Sequence, residues 1–503
     1  MAIFINLNPQ IPVIPRNLDK TQVDVRYMVL PPFASVHIFW DQTSGELVYE
    51  LEEPILNDQE KQYLGILEKS MMESMNVSPT GEGETVTDYV DRALRAVISE
   101  KSFRIDEASY NKLFYYMYRD FVGLNQIEGL MHDYFIEDLE CNGVGEPIYI
   151  VHRVFRNIKT NVKFDSVEGL ASFVEKLAQK CGRYVSYASP LLDGTLPDGS
   201  RVNATYTKDI TSKGPTYTIR KFTKTPWTPI QLISMRNLSP EMLAYLWMCA
   251  EYEMNMMIAG ATASGKTTLL NAIAFFIPPD DRVVSIEDTR ELQLPRENWV
   301  PSVARAGVAG AGEVDMFSLL KNSFRQNPDY VIVGEVRGQE AFVLFQGMSS
   351  GHASISTVHA DSVEGVIRRL ETPPISLNPS LLNALDIVIV MTHALVNGQE
   401  TRKLREIVEI TSVTSEGVAV TNTPFVWDPA SDKFFFKKDS RVFEKIEKRH
   451  GIAKEQLFKE HALRTKLLFQ LYKQKVTDFD ELGRIVKDYY RTPLDILKKY
   501  GVE

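Results

Sequence analysis

The stretch GATASGKT, residues 260–267, constrains this chain more than any other. It matches G-x-x-x-x-G-K-[ST], follows the apolar run MNMMIA and precedes the helical TTLLNAIAFF. Strand, glycine-bearing turn and helix in that order make a phosphate cradle. The glycines let backbone N–H groups turn inward, and the helix N-terminus adds positive potential. Gly260, Ala261, Thr262, Ala263, Ser264, Gly265, Lys266, Thr267 and Thr268 are therefore assigned to nucleotide binding. Lys266 should reach the β- and γ-phosphates and Thr267 should give its oxygen to Mg²⁺, which makes ATP and Mg²⁺ the expected ligands.

A loop of this kind belongs to an α/β fold with a parallel sheet. The pattern from 232 to about 411 agrees, with apolar candidate strands at 254–259, 282–287, 330–334, 353–358 and 386–391 alternating with helical stretches. Upstream, residues 24–51 alternate in strand fashion around the turn DQTSG, and 57–128 reads as helix with one polar gap at NVSPTGEGETV (76–86). Residues 129–222 mix strands with the amphipathic helix SVEGLASFVEKLAQKCG (166–182). The expected architecture is a β-hairpin plus helical module (1–128), an α+β domain (129–222), a proline-bearing linker (223–231), a parallel-sheet core (232–411) and a C-terminal β/helical extension (412–503).

Composition narrows the partners. A net charge of −10 over 503 residues argues against a nucleic-acid-binding protein. Cys141, Cys181 and Cys249 are far apart in sequence and form no CxxC pair, which suits a reducing cytoplasm. The N-terminus lacks a signal-peptide pattern, and the longest apolar runs, such as LLNALDIVIVM (381–391), fall short of the ~20 residues that span a bilayer. Membrane attachment is expected only through a partner.

Two further strands end on acids. RVVSIEDT (282–289) carries Glu287 and Asp288, and PDYVIVGEVRG (328–338) carries Glu335, with Gly334 where many nucleotide hydrolases have aspartate. In a parallel sheet the strand C-termini gather where the ligand sits. Glu287 faces either the metal or the attacking water, and Glu335 is the first choice to position that water. GHASISTVHAD (351–361) places His352 and His359 at the two ends of a strand-like run, His359 being the better placed to sense the γ-phosphate.

In this order the P-loop, SIEDTRELQLP, SLLKNSFRQNPDYVIVGEVRGQEA and GHASISTVHADS resemble the Walker A, aspartate, Walker B and histidine boxes of the type II/type IV secretion ATPases, in which glycine normally precedes the Walker B glutamate. YMVLPPFASVHIFW, EDLECNGVGEPIYIVHR and SPLLDGTLPDGSRVNATYTKDITSKGPTYTIRKF look like the N-terminal part of the archaeal branch, whose members drive archaellum, type IV pilus and type II secretion systems. The resemblance covers about residues 25–411. It implies a RecA-like P-loop domain preceded by an α+β N-terminal domain, in a cytoplasmic homohexamer that works on a polytopic membrane platform protein. It also implies that Glu287 and Asp288 are the aspartate-box acids, that Glu335 is catalytic, and that Arg201 and Arg220 reach the nucleotide from the N-terminal domain. Arg325 matches an arginine near the subunit interface, and Lys321 stands where the family often has another. The rival reading is a RecA-like nucleic-acid translocase or conjugation ATPase.

Overall fold

The computed structural model describes residues 5–6, 14, 19–74, 85–222, 226–305, 312–396, 399–414 and 417–502. They divide into two compact units, Met1–Phe222 and Thr223–Glu503.

The N-terminal unit is built on one nine-stranded sheet. β1 (Asp24–Leu30), β2 (Ala34–Asp41) and β3 (Glu46–Glu52) form an antiparallel meander. β4 (Ile136–Cys141), β5 (Pro147–His152), β6 (Arg156–Lys163), β7 (Leu191–Thr195), β8 (Arg201–Thr205) and β9 (Thr216–Arg220) complete the order β1-β2-β3-β6-β5-β4-β9-β8-β7. Helix Val167–Lys180 starts at Ser166, whose side chain accepts from Gly169 N. It buries Leu170, Phe173, Val174, Leu177 and Ala178, the i, i+3, i+4 stripe of a helix with one covered face. The helical stretch expected over 57–128 holds helices Asp58–Ser74, Val86–Glu100 and Glu107–Met117, and most of the polar gap (75–84) lies outside the described residues.

The boundary expected at 128/129 is not a boundary in the fold. β3 pairs with β6 in parallel (Val48 with Lys159, Tyr49 with Thr160), and the buried Asp133 carboxylate accepts from Tyr27 Oη at 2.7 Å and Tyr49 Oη at 2.8 Å. A buried carboxylate is costly unless bonded, so these bonds fasten the meander to the rest of the sheet. Ile5 and Ile14 are buried in the same core.

The C-terminal unit holds a second nine-stranded sheet, order β12-β11-β13-β14-β10-β15-β16-β17-β18. β10 (Met256–Gly260), β11 (Val283–Glu287), β12 (Trp299–Val303), β13 (Tyr330–Val333), β14 (Ala353–Val358) and β15 (Ile387–Val396) run parallel. β16 (Gln399–Val413), β17 (Ala419–Asp428) and β18 (Lys433–Phe436) add an antiparallel meander. The parallel strands are apolar without alternation because both faces are covered. Met256, Ile258, Ile332, Ile355 and Ile389 point into one core, and Met257, Ala259, Val331, Val333 and Val388 into the other.

β12 was not expected. Its Pro301 argues against a strand, and it is tolerated because β12 is an edge. The linker expected over 223–231 is partly helix, since Thr228 caps helix Pro229–Ser234, while 223–225 lie outside the described residues. Nor is 412–503 an appendage. β16 crosses residue 411, and Leu467, Leu468, Leu471, Leu482 and Tyr489 join the core around Trp247, which stacks on Phe276 at 4.7 Å between centroids.

Candidate functional site

Parallel pairing brings the C-terminal ends of β11, β13, β14 and β10 to one edge, in that order across the sheet. The P-loop leaves β10 there. Ala263 (φ 59°) and Gly265 (φ 92°) both occupy the left-handed region, two residues apart. That conformation turns N–H groups toward a common centre, and for an alanine it costs about 1–2 kcal/mol. Gly260 is required by space, because a Cβ there would lie 2.8 Å from Met391 O. Lys266, only 7% exposed, opens helix Lys266–Ala274, and its Nζ donates to Gly260 O at 3.0 Å and Ala261 O at 2.9 Å. Burial lowers its pKa, against the pull of the Glu335 charge. Thr267 and Thr268 are half-buried on the first turn, Ala261 and Thr262 are exposed on the loop, and Ser264 is fully buried.

The next two strand ends supply the acids. Gly334 follows β13, its N–H donating to Ile286 O at 2.9 Å and its carbonyl accepting from Thr357 Oγ1 at 2.6 Å. A Cβ on Gly334 would come within 3.2 Å of Glu287 Cγ. A side chain on Gly334 would therefore press on Glu287, and an aspartate there would bring a second carboxylate against it.

Glu335 lies 3.1 Å from His359 Nε2 and 2.9 Å from Arg337 Nε, and its Oε2 accepts from Arg337 Nη2 at 2.9 Å. His359 Nδ1 is 3.4 Å from Lys266 Nζ. Burial raises the Glu335 pKa, but Arg337 first, then His359 and Lys266, overcome it, and the carboxyl sits below its ordinary value. Burial lowers His359, with Glu335 opposing. The result is a continuous chain, Lys266–His359–Glu335–Arg337, with Asp288 Oδ2 a further 3.7 Å from Arg337 Nη1.

Glu287 is 2% exposed. Its Oε1 accepts from Glu291 N at 2.9 Å and Leu292 N at 3.0 Å, while Oε2 is buried with no hydrogen-bond partner among the described residues. Burial pushes its pKa up to about 7, against those two backbone bonds. The unfolded chain loses this proton near pH 4.5, the folded chain only near 7. Between those values the folded state binds more protons, so stability falls as pH rises and the loss is complete above about 7. Glu287→Gln removes the penalty. Without nucleotide or Mg²⁺, its stability relative to wild type, read from melting curves, should climb from pH 5 to pH 8 by at most about 3 kcal/mol. A flat difference would mean that the carboxyl ionises normally. Thr267, Glu287 and Asp288 offer only oxygen donors, the kind a hard cation such as Mg²⁺ takes, and the Glu287 Oε2 atom has no hydrogen-bond partner among the described residues.

One expected residue stands elsewhere. His352 precedes β14 while His359 follows it, so six strand residues, roughly 20 Å, separate them. His352 packs instead on Phe324, centroids 4.9 Å apart. Arg325 is exposed in the short turn Phe324–Gln326, and Lys321 is exposed on helix Met316–Ser323. No ion pair among the described residues joins either to the chain of charges. Arg201 and Arg220 belong to the N-terminal unit, directly opposite each other on β8 and β9. Like charges in register destabilise a sheet. Here Asp193 (3.2 Å from Arg201) and Asp138 (3.3 Å from Arg220) flank them.

Two residues escaped the sequence reading. Arg337 was visible two positions past Glu335, but only geometry shows it donating to Glu335 Oε2 with its Nε 2.9 Å from Oε1. Arg402 on β16 brings its Cδ within 3.5 Å of where a Gly265 Cβ would stand. No local signal announces it, because the β15–β16 pairing places it.

A family model described as "Type II/IV secretion system protein" matches residues 140–427. The uncharacterised protein MJ0900 of Methanocaldococcus jannaschii is 37% identical over 403 residues, 79% of this chain and 73% of that one. The conjugal transfer protein TrbB of Rhizobium radiobacter is 31% identical over 230 residues, 44% of this chain and 68% of its own. Among solved structures, the Legionella pneumophila ATPase DotB aligns at 18% identity, covering 71% of this chain and 92% of DotB, with a TM-score of 0.40.

Proposed function

The chain belongs to the type II/IV secretion system protein family, and on that premise we propose that it hydrolyses ATP to drive a secretion or filament-assembly machine at a membrane. One observation carries the reading. The P-loop lysine, a strand-end glutamate and a strand-end histidine stand in contact along a single sheet edge.

In this mechanism the loop N–H groups and Lys266 take the phosphates, Lys266 Nζ exchanging two loop carbonyls for phosphate oxygens. Glu335 orients the attacking water and receives its proton. Its depressed pKa keeps it ionised, so orientation outweighs basicity in its contribution. His359, between Lys266 and Glu335, couples the γ-phosphate position to the carboxylate. Thr267, Glu287 and Asp288 would hold Mg²⁺, which would supply neutralising charge at the phosphates.

The finer reading is a cytoplasmic homohexamer acting through a polytopic platform protein, with Arg201 and Arg220 completing the nucleotide site and Arg325 serving at a subunit boundary. The in-register arginine pair supports this, since a bound polyphosphate would relieve its repulsion better than two aspartates. No helix among the described residues is long and apolar enough to cross a membrane. TrbB's name keeps the conjugation reading in view. Purified protein should release phosphate from ATP only with Mg²⁺, at a rate unchanged by single- or double-stranded DNA. Stimulation by DNA would favour the translocase reading, and absence of turnover would leave a nucleotide-regulated scaffold.

A further inference from the structure

Helix Lys454–Lys473 uses one side to pack. Leu457, His461, Arg464, Leu467, Leu468 and Leu471 are buried. Its outward side carries a second pattern. Ala462, Thr465, Phe469 and Tyr472 follow one another at spacings of 3, 4 and 3, the rhythm of a helix-pairing seam. Phe469 is 42% and Tyr472 38% exposed, with ring centroids 6.1 Å apart. Lys459, Lys466 and Lys473 recur every seven residues along one flank, all exposed. The ion pairs of this helix involve Lys454 and Arg464, and among the described residues the three flanking lysines have none. The Lys473 ammonium lies 4.6 Å from the Phe469 ring centroid.

The positive charge is local. Residues 433–503 hold 18 Lys and Arg against 11 Asp and Glu, whereas the whole chain has 56 against 66. An acidic protein thus carries an excess of cations in this segment, and Lys459, Lys466 and Lys473, without ion pairs among the described residues, lie beside the seam.

We propose that this outward seam docks an acidic amphipathic helix of a partner protein, with apolar side chains on Phe469 and Tyr472 and carboxylates beside Lys459, Lys466 and Lys473. Charges flanking an apolar heptad line select the partner in helix pairing. A bilayer fits less well, because the inward side of the helix is already occupied and two aromatic rings are too little apolar surface for interfacial insertion.

The probe is a fluorescein-labelled three-heptad peptide with leucine at seam positions and glutamate at the flanks, titrated with the full chain and followed by anisotropy. Binding should weaken at least about tenfold in the triple variant Lys459→Glu/Lys466→Glu/Lys473→Glu and, separately, in Phe469→Ala. The triple variant should in turn bind the same peptide carrying lysine for glutamate, which a misfolded protein would not do. Equal affinity of wild type for both peptides would overturn the proposal. So would binding of phosphatidylglycerol vesicles or a single-stranded oligonucleotide that depends on these lysines while peptide binding does not. A change in sedimenting mass on Phe469→Ala would assign the seam to a second copy and likewise overturn it.

Discussion

Lys266→Ala should lose tight ATP binding and lower turnover by about two to three orders of magnitude. The ammonium donates to two P-loop carbonyls and lies next to His359. Alanine leaves those carbonyls without their donor and the phosphates without their countercharge. Lys266→Arg should not rescue activity. The side chain is buried between two carbonyls in a space shaped for a compact ammonium, and a planar guanidinium distributes its donors differently. Equilibrium binding of a fluorescent ATP analogue, phosphate release and a melting curve, measured together, separate lost binding from lost folding. Unchanged turnover in a folded variant would remove the P-loop from the mechanism.

Glu335→Gln should do the opposite to binding. Neutralising this carboxylate leaves Arg337, His359 and Lys266 without their shared anion, so the site becomes more positive and should hold ATP at least as well. Turnover should fall by about two to four orders of magnitude, because the group that orients water and takes its proton is gone. The measurement is ATP retention after rapid gel filtration beside steady-state phosphate release. Normal turnover would place the base elsewhere, with Glu287 next in line.

Much of this site was legible because its parts are local. A P-loop is a run of eight residues between a strand and a helix, and Glu335 and His359 follow apolar strands of recognisable length. Strand direction, also readable, separates the two histidines, since His352 precedes β14 and His359 follows it. What stayed hidden depends on residues distant in sequence. The role of Gly334 emerges only when β11 lies beside β13. Arg402 enters through a hairpin, and Pro301 disguised an edge strand. Leu467, Leu468 and Leu471 fall in the stretch read as a C-terminal extension, yet they join the core around Trp247.

That last feature bears on modularity. Because the tail is woven into the same core as the P-loop helix (Tyr490 Oη donates to Phe276 O at 2.5 Å), it cannot be exchanged between relatives like a cartridge. Cutting at residue 411 would sever β16 and strip the cover from Trp247. Chimaeras between relatives should instead transplant outward-facing side chains onto an intact backbone, which changes the surface and leaves the core untouched.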